Sequence, residues 1–190
     1  VGAEAGSFIT TTDENTIVGT EAGYDLTGTE SVLIGSRAGY NLAAVNGNVA
    51  IGRYAIYNST AAVDCVAIGR QAMYNGSATQ TGTVAIGKNA LVNLSTGEGN
   101  TAIGFESMDA TTTGGGNTTL GYQSLSGDTD GDGADNTALG HKTLLAAVSP
   151  SKNVAIGDSA MRAMNGTANG IAQCVAIGAN AFYGNATSTT

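Results

Sequence analysis

The sequence is poor in several residue types, and each shortage argues against a class of protein. Charged residues make up only 12% of the chain, and the formal net charge of −8 disfavours nucleic acid as a partner, since phosphates are bound by basic surfaces. There is one histidine, His141, and no spacing places it with a nucleophile and an acid, so an enzyme is not expected. The absence of any run of about 18 apolar residues disfavours insertion into a membrane.

Other scarce residue types restrict the range of possible folds. Cys65 and Cys174 are the only cysteines, too few for a disulfide framework, and Pro150 is the only proline. Glycine is abundant instead, with 29 residues, together with alanine, threonine and asparagine. Apolar residues make up 42% of the chain, which, with so little charge, argues against disorder and for a folded protein.

One short segment recurs along the whole chain. Residues Asn48–Tyr57 read N-V-A-I-G-R-Y-A-I-Y, and edited copies follow one another with their glycines 16 to 21 residues apart. Such a period is typical of a solenoid, in which each repeat forms one coil. Because Val1–Gly6 matches Val18–Gly23, the chain opens inside a repeat. We therefore expect residues 1–190 to be a single repeat array and a segment of a longer fibre. The aligned glycines are Gly2, Gly19, Gly35, Gly52, Gly69, Gly87, Gly104, Gly121, Gly140, Gly157 and Gly178.

Each copy predicts short strands rather than a helix. Valine, isoleucine, leucine or threonine stands one and three positions before the glycine, and these columns share a face because strand side chains alternate. A mostly small column, such as Ala50 and Ala67, lies between them. Small and then large residues after the glycine, such as Ala55 and Ile56, predict a second strand. The sequence thus predicts an all-β solenoid of about ten coils, each of about 17 residues with two short strands.

Both faces of the first predicted strand are apolar. A thin, two-sided roll cannot bury both faces alone, so we expect other copies of the chain to supply the missing cover. The strands at the two ends of the roll would also have free edges, which allow end-to-end pairing.

The repeats resemble two known groups of proteins. Asn48–Gly52 and Asn153–Gly157 are similar to the N-S-V-A-I-G-type motif in the YadA-like heads of trimeric autotransporter adhesins. Asn100–Met108 and Asn136–Leu144 are similar to the N-T-A-I-G-x-x-A-L repeats of phage tail-fibre proteins. The resemblance covers nearly the whole chain. It implies a left-handed parallel β-roll that forms a homotrimer at a virion or cell surface.

The resemblance also implies a function. It indicates a structural or adhesive module of an extracellular fibre, a stiff rod with a surface for a host glycan or a protein receptor. The alternative is a self-assembling extracellular filament subunit, whose end strands pair with those of its neighbours.

The acidic turn Asp128–Asn136 departs most clearly from the repeat. Its D-x-D-x-D-G spacing copies the first half of a calcium loop, where alternate oxygens converge on the ion and glycine makes the bend. The twelfth position is Leu139 instead of glutamate, so the turn is not an EF-hand. A solvated acidic loop is the alternative to calcium binding. The predicted calcium ligands are Asp128, Asp130, Asp132 and Asp135.

Two rows of side chains are candidate ligand surfaces. Arg53, Arg70 and Lys88 directly follow the glycine in three successive coils and could hold an anionic glycan, with solvated corner residues as the alternative. A tyrosine row stands five positions after the glycine. It predicts either an exposed platform for sugars or an interface whose hydroxyls lie at the rim. The row comprises Tyr24, Tyr40, Tyr57 and Tyr74.

Simple structural roles are expected for the cysteines and the sequons. Cys65 and Cys174 share a column six coils apart, too far for an intrachain disulfide, so we expect free, partly buried thiols. Turn chemistry explains most of the six N-x-S/T sequons, although glycosylation in a secreted protein is the alternative. The sequons begin at Asn58, Asn75, Asn93, Asn117, Asn165 and Asn185.

Overall fold

The computed structural model describes residues 2–9, 14–43, 46–76, 80–128, 131–163 and 172–184. Within these ranges the chain forms only strands, turns and bends, which confirms the predicted all-β class. Nowhere in the described ranges is there a helix capable of crossing a membrane. The strands are β1 (Thr16–Val18), β2 (Val32–Ile34), β3 (Val49–Ile51), β4 (Ala62–Val63), β5 (Val66–Ile68), β6 (Gln80–Thr81), β7 (Val84–Ile86), β8 (Thr101–Ile103), β9 (Thr118–Leu120), β10 (Thr137–Leu139), β11 (Val154–Ile156) and β12 (Val175–Ile177).

Ten of these strands stack into one parallel sheet. Its order is β1-β2-β3-β5-β7-β8-β9-β10-β11-β12, so each strand lies beside the equivalent strand of the next coil. The pairing follows the sequence repeat, since Val49 pairs with Val66 and Ile51 with Ile68. The β-solenoid predicted from the period is therefore confirmed. The two remaining strands, β4 and β6, pair in parallel in the return turns of two coils.

A glycine follows each strand of the large sheet because neighbouring coils come closest there. Gly52 has a φ of +133°, a conformation that residues with a side chain rarely adopt. A Cβ atom built on Gly52 would lie 2.5 Å from the carbonyl oxygen of Gly69. The N–H of Gly69 donates to the carbonyl of Ile51 at 2.7 Å, so the coils stay hydrogen-bonded through this corner.

The segment after the glycine is a chain of turns, and the second strand predicted there was wrong. Residues two and four positions after the glycine have positive φ, as at Tyr54 (+63°) and Ile56 (+46°). This alternation of backbone hand sends neighbouring side chains inward together, whereas a strand would send them to opposite faces. Ala55 and Ile56 are accordingly both fully buried. The N–H of Ile56 donates to the carbonyl of Ala72 at 3.0 Å, so hydrogen bonds between coils continue through the turns.

The core is a thin layer between the sheet and these turns. The middle residue of each strand, mostly alanine, packs in one cluster with the small and large residues of the turns. The residues one and three positions before the glycine point outward instead. Most of them are half-buried against their neighbours on the same face, while Leu120 is 51% exposed and Val18 and Ile177, in the two end strands, are 43% and 67% exposed. The chain therefore buries one face of its sheet and leaves the other, apolar face outside.

Buried asparagines four positions before the glycine tie the coils together. The side-chain oxygen of Asn117 accepts the N–H of Asn136 at 3.0 Å, and its Nδ2 donates to the carbonyl of Gly133 at 2.8 Å. One asparagine side chain thus accepts a backbone N–H of the next coil and donates to a carbonyl of a return turn. This pair of hydrogen bonds explains why the motif begins with asparagine. At Cys65 the ladder is interrupted, and its thiol donates to the carbonyl of Gln80 at 3.2 Å.

Candidate ligand-binding surfaces

The largest candidate surface is the Val/Ile face, defined as the residues one and three positions before the glycine in the ten strands of the large sheet. At about 4.8 Å per strand, this face is roughly 45 Å long. It contains no charged residue, and its only polar members are four threonines. A continuous apolar strip of this extent is typical of a surface that another protein covers.

The predicted basic row is an exposed, ordered feature of three neighbouring coils. Arg53, Arg70 and Lys88 are all exposed. Their main chains are held one coil apart, because the carbonyls of Arg53 and Arg70 accept the N–H groups of Gln71 and Asn89 at 3.0 Å. The structure therefore brings the three predicted residues together at one corner of the solenoid.

Aromatic rings flank this basic row. The guanidinium of Arg53 lies 4.6 Å from the centroid of the Tyr54 ring, and the Lys88 ammonium lies 4.9 Å from that of Phe105. Arg53 and Arg37 both donate to the Tyr54 hydroxyl, at 3.2 Å and 3.3 Å. These hydrogen bonds lower the pKa of Tyr54, which indicates a positive potential at its oxygen.

The tyrosine row is a continuous stack. Ring centroids of Tyr24, Tyr40, Tyr57 and Tyr74 follow one another at 4.9, 5.2 and 5.1 Å, with interplanar angles of 5° to 25°. Each inner ring has both faces against its neighbours, so only ring edges face outward. A sugar stacks on a ring face, and the row therefore offers little as the sugar platform considered from the sequence. Burial raises the pKa of Tyr57, in keeping with a partly desolvated stack.

A second aromatic stack was missed by the sequence analysis. Phe105, Tyr122 and His141 continue the column of the basic row, with ring centroids 5.3 Å and 5.4 Å apart. His141 Nδ1 lies 2.7 Å from an oxygen of Asp158, the next residue in this column. The signal was present, because all of these residues stand one position after an aligned glycine.

The described carboxylates of the acidic turn do not converge on one site. Asp128 is 2% exposed, and its carboxylate accepts the N–H groups of Gly133 at 2.8 Å and Ser149 at 3.3 Å. Asp132 and Asp135 are exposed, while Asp130 lies outside the described residues. Among the residues that the structure describes, no group of three histidine, cysteine or acidic side chains is placed to hold a metal ion. Calcium binding by this turn stays a prediction.

The cysteines and the described sequons take part in local hydrogen bonding. Both thiols are free, with Cys65 buried, and burial raises the pKa of that thiol. Asn75 donates to the side-chain oxygen of Asn93 at 2.9 Å, and Asn93 donates to a turn carbonyl at 2.8 Å. This is the expected turn chemistry. The sequons at Asn165 and Asn185 lie outside the described residues.

No protein-family model matches the chain, and comparisons with curated proteins and with solved structures find no match. The fold itself defines the class of protein, a parallel β-solenoid with one three-residue strand in each coil of its main sheet. The resemblance to autotransporter heads and tail-fibre repeats stays a prediction.

Proposed function

We propose that the chain is a structural and adhesive module of an extracellular fibre, in which three copies form one stiff rod. Such a fibre is a phage tail fibre or a trimeric bacterial adhesin, on a virion or a cell surface. The observation that carries the proposal is the Val/Ile face, since a solvated rod gains nothing from an uncovered apolar strip along its length.

Copies of the same chain are the partner that fits this face. A partner must present apolar side chains at the same spacing of about 4.8 Å over about 45 Å, and another copy of the solenoid does so. The face has no charges, so copies can meet without like charges opposing each other. The number three is supported by the resemblance to trimeric heads and tail fibres.

A rod is also what the internal bonding supports. Each strand of the large sheet pairs only with its neighbouring coils, and the ladder continues through the glycine corners and the turns. A solenoid of this kind transmits its register from one coil to the next, which suits a spacer that holds a binding surface away from a larger particle.

Light scattering on the purified chain tests the assembly. We expect a mass close to three times the 18.7 kDa of one chain. The double variant Ile68→Lys and Ile86→Lys puts two charges on the Val/Ile face and should give a folded species of lower mass. The control Thr20→Lys and Ser36→Lys adds the same charge at exposed corner positions and should keep the wild-type mass. A monomeric wild-type chain would contradict the proposal.

Electron microscopy separates the two assemblies considered from the sequence. Discrete rods of fixed length support the trimeric module. Long filaments whose length grows with protein concentration would instead support the filament subunit, with the end strands pairing between copies.

A further inference from the structure

We propose that the basic row of Arg53, Arg70 and Lys88 is a binding site for an acidic polysaccharide, whose carboxylate or sulfate groups lie along the rod axis. The proposal deepens the adhesive part of the proposed function by naming a class of ligand. The row belongs to the surface of a single chain, so its test is separate from the test of the trimer.

The first support is the concentration of positive charge. The chain has seven lysines and arginines and a net charge of −8, yet three of its cations occupy the same position in successive coils. The stacked corners place them about 4.8 Å apart along the axis, where like charges repel. Elsewhere in this column stand alanine, serine, threonine, aromatic residues and one aspartate, so the fold does not require cations there.

The second support is that the neighbouring acids are already engaged. Glu21 pairs with Arg37, and Glu106 accepts hydrogen bonds from Gln123 at 3.0 Å and Asn89 at 3.5 Å. Across the described part of the chain, the row residues form no salt bridge. Its charge is therefore left for a ligand to neutralise.

The third support is the surroundings of the row, which suit a polyol. The Tyr54 hydroxyl and the side-chain amide of Gln71 stand one position further along two of these coils. The Tyr54 hydroxyl, which already accepts from Arg37 and Arg53, can donate to a sugar hydroxyl, and the Gln71 amide can both donate and accept. Arginine adds two-pronged hydrogen bonding to carboxylate or sulfate oxygens.

The size of the row favours a polysaccharide over a nucleic acid. Two coil steps span only about 10 Å, and the nearest acids beyond the two ends of the row, Glu21 and Glu106, stand two positions after their glycines. A duplex carries a dense line of phosphates far beyond that length, so most of its charge would face an acidic protein. A polysaccharide with charges separated by neutral hydroxyls meets the row without that repulsion.

The experiment compares binding of polygalacturonate, dextran sulfate, neutral dextran and duplex DNA to three proteins. They are the wild type, the row variant Arg53→Gln, Arg70→Gln and Lys88→Gln, and the control variant Lys142→Gln, Lys152→Gln and Arg162→Gln. Both variants lose three positive charges, but the control residues do not form a row. Circular dichroism, melting temperature and light scattering confirm that each variant keeps the wild-type fold and mass.

We expect the wild type to bind at least one acidic polysaccharide, and more weakly as salt rises from about 50 to about 300 mM. The row variant should bind at least roughly tenfold more weakly, and the control should differ from the wild type by less than about threefold. The proposal is overturned if the wild type binds neither acidic polymer, if neutral dextran or DNA binds as tightly, or if both variants weaken equally. A wild type that is monomeric but binds through the row would contradict the trimer alone.

Discussion

Two segments of the solenoid have the same backbone conformation but differ in the side chains that they bury at one repeat position. In the alanine segment, residues 48–91, the position three after the glycine holds alanine, whereas in the hydroxyl segment, residues 100–144, it holds serine or threonine. All of these residues are fully buried. They are Ala55, Ala72 and Ala90 in the first segment, and Ser107, Ser124 and Thr143 in the second.

The buried hydroxyls cause no disruption because they bond to one another and to the next coil. Ser124 Oγ lies 2.8 Å from Thr143 Oγ1 and donates to the carbonyl of Ala138 at 2.9 Å. Ser107 Oγ lies 2.6 Å from Thr119 Oγ1 in the same way. Strand register and φ angles are alike in the two segments. The comparison shows that this position selects for small size, and that polarity is accepted when a partner stands in the next coil.

A glycine stands at the corner after the strand in both segments, so replacing it with alanine should destabilise the fold equally in each. Gly69→Ala places a Cβ atom 2.5 Å from the carbonyl oxygen of Gly87 at a φ of +133°, and Gly140→Ala places one 2.6 Å from that of Gly157. We expect each change to lower the free energy of unfolding by about 4 kcal/mol, from strain and overpacking together. Urea unfolding followed by circular dichroism measures the loss.

Gly82→Ala is the matched control for the corner variants. Gly82 also has a positive φ, +61°, but a Cβ atom there would meet nothing within 4 Å. Only the backbone strain remains, so we expect a loss of about 1 kcal/mol. A loss at Gly82 as large as that at Gly69 would show that the close approach of the coils is not what requires glycine.

These corners were the part of the fold that the sequence revealed best, and the reason is repetition. Aligned columns report which residues share an environment, so the coil, the register and the tight positions could be predicted. They do not report the sign of φ. Ile56 is β-branched and disfavours a φ of +46°, yet the hydrogen bonds between coils hold it there. The columns also could not show that the alanine face points inward and the Val/Ile face outward.

The burial of Asp128 was not predicted from the sequence, because the acidic turn was considered apart from the aligned columns. Asp128 stands seven positions after its glycine, where Leu42 and Leu94 stand in other coils, and all three are buried. Extending the alignment into the return turn would have predicted an inward position. The match to a calcium-loop motif carries no information about whether the Asp128 side chain points inward or outward.

Exchanging residues between the segments tests whether small size is the requirement. Ser124→Ala should cost about 1 kcal/mol, because the hydroxyl's hydrogen bonds are lost while its space stays filled. Ala72→Ser should cost less than about 1 kcal/mol, because Ala85 occupies the same repeat position relative to residue 72 as Ala138 does relative to Ser124, and its carbonyl can accept in the same way. Ala72→Val is the size control and should cost about 2 kcal/mol by overpacking. If the serine were more damaging at this position than the valine, polarity and not size would govern the column. Denaturant midpoints of the three variants decide between them.

The smallest expected effect is a pH dependence of stability. It arises because Asp128 can ionise, whereas the leucines at the same position of other coils cannot. Burial raises the pKa of Asp128 above its ordinary value of 3.8, although the amide hydrogen bonds oppose this. Above pH 3.8 the folded chain therefore holds a proton that the unfolded chain has released, so this group's contribution to stability falls as pH rises through the window up to its folded pKa. Asp128→Asn cannot ionise and keeps an oxygen for the Gly133 amide, so its stability should fall less over this window than that of the wild type. The urea midpoint measured from about pH 4 to pH 7 tests this, with the exposed Asp25→Asn in another coil as control. If Asp25→Asn flattened the pH profile as much as Asp128→Asn, burial in the core column would not be the cause.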